Sequence, residues 1–198
     1  MDFHKNTKNL QILPNHLSGH WFHNWISFKH SVMNTNATNG VNSIMKYFGP
    51  TVIGVAICFL VGYVSSLFQE DALIMWYPML TKPAITPPDW VFPIAWSFIY
   101  LCMGVSIALV WPTSEKTFRP IAKLFALQLL FNFIWSFLFF SMHSPTAAFI
   151  DIIALDVAVI IYIIKVYGTR KAAAWLFIPY LAWLMFATYL NAFIMIAN

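Results

Sequence analysis

Between Trp76 and Trp96 the chain reads WYPMLTKPAITPPDWVFPIAW, gathering three tryptophans, a tyrosine and five prolines. Aromatic rings bind apolar surfaces by stacking, while Pro83, Pro87 and Pro88 fix φ and remove backbone donors, so the piece cannot continue a helix. It reads as a stiff aromatic lid at the entrance to a site. Three sets of residues could stand beneath it. Phe92, Trp96, Tyr100 and Met103 recur at helical spacing, Gln128, Asn132 and Trp135 fall at i, i+4 and i+7 with Ser136 next, and Tyr180, Trp183, Ala187 and Asn191 share a face. Small Ala187 beside Trp183 leaves room for a flat ligand. An aromatic stripe serves packing or ligand contact, and spacing leaves both open. Asp151 and Asp156 interrupt an apolar run, where a carboxylate either makes a polar contact to a neighbouring helix or handles a ligand or proton. His16, His20 and His23 would share one helical face, but no cysteine or carboxylate completes a metal set and Gly19 interrupts it. Cys58 and Cys102 lack a paired spacing and read as buried filler. No nucleophile with its base and no phosphate-cradling loop is present, so the chemistry on offer is binding rather than dedicated catalysis.

The elements that must position these residues follow from composition. At 60% hydrophobic and 9% charged, the 198-residue chain is too apolar for a soluble domain. A helical span needs about 20 apolar residues, and five blocks qualify: 50–68, 90–111, 121–142, 146–167 and 173–196. Barrel strands alternate polar and apolar, whereas ALDVAVIIYIIKV is apolar on every side. The fold class expected is an all-α membrane protein, a five-helix transmembrane bundle. Gly54 and Gly62 suit close helix packing, Pro179 a kink in the last span, and the small pair Ala122 and Ala126 a dimer contact.

Charge sets the orientation. All of the 11 lysines and arginines except Lys82 fall before the first span or beside the second and fourth loops. Positive loops stay inside, so the N-terminus is expected in the cytoplasm of a bacterial cell, with the lid and C-terminus outward. The basic balance reports this orientation and not a nucleic-acid partner. Residues 1–45, rich in Asn, His, Ser and Thr, read as a mobile extension, and residues 46–198 as the membrane domain. Trp21, Phe22, Trp25 and Phe28 would lay the extension on the membrane surface if it were helical. Met45 is an alternative start, because MKYFGP before an apolar run looks like a bacterial N-terminus.

The ordered motifs WY-x2-L-x-KP-x3-PP-x-W from Trp76, FPIAW from Phe92, Q-x3-N-x2-WS from Gln128, the pair Phe139 and Phe140, Asp151, and PYLAW-x2-FAT-x-LN from Pro179 resemble the TspO/MBR family of tryptophan-rich sensory proteins. The resemblance covers about residues 50–198. It implies five packed helices, a homodimer, and a pocket under the first loop that takes porphyrins, haem-like tetrapyrroles, sterols and benzodiazepine-type compounds. On this chain the pocket would be lined by Tyr77, Trp96, Tyr100, Asn132, Trp135 and Trp183, with Trp76 in the lid and Ala187 at the sterol-sensitive position. The expected role is a membrane sensor or receptor of tetrapyrroles, also suited to porphyrin transport, with porphyrin or haem as ligand and no required cofactor. The alternative the family suggests is a light- and oxygen-dependent enzyme degrading protoporphyrin IX, in which Trp96 and Trp183 are the key pair. Two departures matter: no basic residue follows Tyr189, which weakens sterol binding, and Ala147 stands where vertebrate members carry a tryptophan, which weakens drug binding.

Overall fold

A computed structural model describes residues 17–198, and within 17–44 the side chains of only some positions. Among the described residues there is helix and no strand. The chain forms two compact units, Met1–Ile44 and Met45–Asn198. In the first, residues from Leu17 onward are helical; residues 1–16 and the side chains of His16, His20 and His23 lie outside the described residues, as do those of Trp21, Phe22 and Trp25.

The second unit carries the five apolar helices long enough to cross a membrane: Met45–Leu67, Val91–Val110, Glu115–Ser141, Pro145–Tyr167 and Lys171–Ala197. The first ends helix α1 (Leu17–Leu67). A short helix α2 (Glu70–Met75) and a single 3-10 turn at Tyr77–Met79 open the lid before its prolines straighten the backbone. Helices α3 (Val91–Val110), α4 (Glu115–Ser136) and α5 (Pro145–Tyr167) follow. The last span is two pieces, α6 (Lys171–Trp175) and α7 (Ile178–Ala197). Pro179 therefore does not kink a continuous helix. It sits in the first turn of α7, where its missing N–H costs nothing. The third span starts at Glu115 rather than 121, because Ser114 in extended conformation begins the helix and Pro120 falls in its second turn.

At its far end α4 widens into a π-helical turn, Phe137–Ser141, which turns both Phe139 and Phe140 into the core. The chain then reverses at His143, whose φ of 49° is the left-handed region, before Ser144 caps α5 by accepting the Ala147 N–H at 3.4 Å. Helix α4 packs along α5, and α5 along α7. Helices α1 and α3 cross through glycine: a Cβ on Gly54 would stand 2.8 Å from the Gly104 carbonyl oxygen, and one on Gly62 would collide with the Tyr100 ring. The core runs through Tyr100, Met103, Phe125, Tyr162, Phe177 and Tyr180.

Candidate functional site

Each inward face expected of the spans is buried. On α3, Met103 and Tyr100 are buried and Trp96 half-buried; on α4, Gln128, Asn132 and Ser136 are buried; on α7, Tyr180 and Asn191 are buried, with Trp183 and Ala187 half-buried. Polarity turns inward because lipid offers no hydrogen bonds. Unlike α4 against α5, α3 and α7 are not close backbone neighbours, and aromatic rings span the seam between them. Trp96 lies 5.4 Å from Tyr100 and 6.2 Å from Tyr180, ring centre to ring centre, while Trp183 meets Phe92 at 5.8 Å. The structure thus sets Trp96, Tyr100, Trp183 and Ala187 around one core, without bringing Trp96 and Trp183 into ring contact.

A second aromatic group joins this seam to the lid. Trp76 meets Phe139 at 5.5 Å and His143 at 4.5 Å, the latter pair tilted by 32°, and Tyr77 meets Phe140 at 6.0 Å. Trp135 packs against both groups and stacks on Phe139 at 5.1 Å, 19° from parallel. It is the hinge between lid and seam. All eight residues expected to bind ligand therefore belong to one connected aromatic region, in two parts.

Amides fix these rings. The Trp135 indole N–H donates to Asn191 Oδ1 at 2.9 Å, and Asn191 Nδ2 donates to the Pro145 carbonyl at 2.8 Å, tying α4, α7 and the start of α5 together. Asn132 Nδ2 donates to the Tyr180 hydroxyl at 3.3 Å. Each bond is worth about 1 kcal/mol net, and leaving one partner buried and unpaired costs about 1–3 kcal/mol. At the lid, Lys82 Nζ donates to the Tyr77 carbonyl at 3.2 Å and sits 4.3 Å above the Tyr77 ring. Burial, with the Asp89 carboxylate adding to it, pushes the Tyr77 phenol above its ordinary pKa, so it stays a neutral donor.

Of the two intramembrane carboxyl groups, Asp156 accepts from Thr188 Oγ1 at 2.8 Å across the α5–α7 contact, and Asp151 is buried with Oδ2 unpaired. Gln128 is fully buried, with neither side-chain polar atom partnered in the protein. Sequence reasoning missed His143, Gln69 and Asn198. Gln69 Nε2 donates to Ser136 Oγ at 3.0 Å, and Asn198 bonds the lid backbone at Thr81. No motif marks any of the three, since each acts through a partner at least 67 positions away. Two shallow grooves, about 370 Å³ between α4 and α5 and about 410 Å³ between α1 and α4, touch none of the aromatic region. Their apolar, outward-facing linings are what lipid chains would cover.

The protein is 38% identical over 138 residues to the tryptophan-rich protein TspO of Archaeoglobus fulgidus, covering 70% of this chain and 90% of that one. It is 35% identical over 133 residues to the human translocator protein, covering 65% and 78% respectively. A tryptophan-rich sensory protein of Cereibacter sphaeroides is 34% identical over 116 residues, or 59% and 72%. The family pattern itself matches residues 54–196, from the glycine where α1 meets α3 to the end of α7, and so the chain belongs to the TspO/MBR family.

Proposed function

We propose that this protein is an integral-membrane receptor for tetrapyrroles, admitted beneath the lid and held in the α3–α7 seam. The observation that carries the reading is that seam, in which two helices stand apart and half-buried Trp96, Trp183 and Ala187 pack against the same core. A flat, apolar macrocycle would gain most from stacking on such rings, at about 0.5–1.5 kcal/mol per ring pair beyond its area burial. Trp135 continues the surface to the lid. Asn132 would orient the ligand, and Lys82, with donors to spare beyond its bond to Tyr77, would meet a propionate. Relatives named for sensing and for translocation fit a receptor or carrier. A homodimer through the α4 face that carries half-buried Ala122 and exposed Ala126 belongs to the same proposal.

One observation favours a photo-oxidative alternative: Trp96 touches two tyrosines, so an oxidised indole would have neighbouring electron donors. A single titration tests both readings. Protoporphyrin IX added in the dark should quench tryptophan fluorescence saturably, and W96F should weaken it. A stable absorbance band on illumination marks a receptor, protein-dependent loss of the band that W183F abolishes without abolishing binding marks the enzyme, and no quenching refutes tetrapyrrole binding.

A further inference from the structure

The two halves of the lid are held differently. Its first half packs rings onto the π-helical end of α4, through Trp76 and Tyr77 against Phe139 and Phe140. Beyond Leu80, the bonds of Thr86 to Pro83 and of Val91 to Pro88 stay within the lid and its junction with α3. Among the described residues, the hydrogen bonds that reach from positions 81–90 to a distant helix come from one side chain. Asn198, at the end of α7, accepts the Thr81 N–H on Oδ1 at 2.9 Å and donates Nδ2 to the Thr81 carbonyl at 3.2 Å. The amide thus pairs with the lid as one residue of a neighbouring strand would. A further donation from Nδ2 to the Ile194 carbonyl at 2.9 Å aims it along the last turn of α7. The next residue, Lys82, is the one held over Tyr77.

From this geometry we infer that Asn198 is a latch: its amide holds Thr81, and with it Lys82, in the closed lid, and its release is the step that opens the entrance. The site is exposed, so water competes for these bonds and the latch breaks far more often than the bundle unfolds. The ring contacts of Trp76 stay made when it does, and make the opening a swing of residues 80–90 rather than loss of the whole lid. The inference rests on the lid being the ligand's entrance, but its first test does not.

Hydrogen exchange on the full chain in detergent should show N198A exchanging faster across residues 80–90 by roughly tenfold, the loss of one to two net hydrogen bonds, with α4 and α5 unchanged. N198D keeps an acceptor for the Thr81 N–H but loses both donations, and should fall between. T81P removes the same bond from the lid side without touching α7, and Leu80 is already in the extended conformation a following proline requires, with φ −75° and ψ 142°. It leaves the Thr81 carbonyl to accept from Asn198 Nδ2, and so should also fall between wild type and N198A. In stopped-flow quenching by protoporphyrin IX, N198A should raise the association and dissociation rates by a similar factor and leave Kd nearly unchanged, because a latch changes how often the lid opens and not what the seam binds. Unchanged lid exchange in N198A and T81P overturns the latch, and so does faster exchange spread through α4 and α5. Faster lid exchange without any quenching in the wild-type protein supports the latch and refutes the tetrapyrrole reading.

Discussion

Trp135 shows how much one residue carries. It stacks on Phe139, packs against both aromatic groups, and spends its single N–H on Asn191, which is 1% exposed. Replacing it with phenylalanine should keep the stacking but leave Asn191 Oδ1 buried and unpaired, at a cost of about 1–3 kcal/mol. The check is a lower thermal unfolding temperature for W135F in detergent, with N191A lowering it as well and the double variant falling short of the sum, because both remove one bond. Trp135 and Asn132 were legible from spacing alone, since polar groups at i, i+3 and i+4 on a lipid-bounded helix must face inward. Their partners were not: Tyr180 and Asn191 meet them across 48 and 56 positions, and no local rule pairs such residues. His143 was less legible still. Its left-handed backbone is strained by about 1 kcal/mol or more and is offset by its ring contact with Trp76, which exists only once lid and loop are folded together.

Between elements, the glycines on the α1–α3 crossing fix how near the first span lies to the aromatic seam. A methyl group at Gly62 would run into the Tyr100 ring, which lies 5.4 Å from Trp96. G62A should therefore destabilise the bundle by about 1–3 kcal/mol through overpacking and displace Tyr100 against Trp96, seen as a change in tryptophan emission. G168A is the control. A Cβ there stands 3.8 Å from the Lys165 carbonyl oxygen, an ordinary contact, and φ is −66°, so the same substitution should be close to neutral. The five spans were plain in the sequence because hydropathy and length are local quantities. The π-helical turn at Phe137–Ser141 and the break between α6 and α7 were not. Both are settled by side chains competing for the same core, where an extra residue per turn lets Phe139 and Phe140 both face inward.

For the molecule as a whole, the lid end joins the C-terminal ends of α1 and α7 to the π-helical end of α4, while Arg170 Nη2 donates to Tyr47 Oη at 3.3 Å at the other. The charge count predicts that the lid end faces outward. A cysteine at exposed Ala84 should accordingly react with a membrane-impermeant maleimide in intact bacteria, the buried native Cys58 and Cys102 staying silent; labelling only after lysis would invert the topology. The sequence by itself determined that this is a five-span helical membrane protein, which faces of its helices turn inward, and that a proline-stiffened aromatic segment stands between the first two long spans. Those are consequences of solvent: lipid penalises polar groups and rewards apolar length residue by residue, so they can be read along the chain. Only the tertiary structure decided that the six aromatic residues among those expected form two ring groups joined through Trp135, that α3 and α7 stand apart with rings between them, and that Asn198 bonds to the lid backbone. Those depend on which distant side chains meet, and that is set by the packing of all five spans at once.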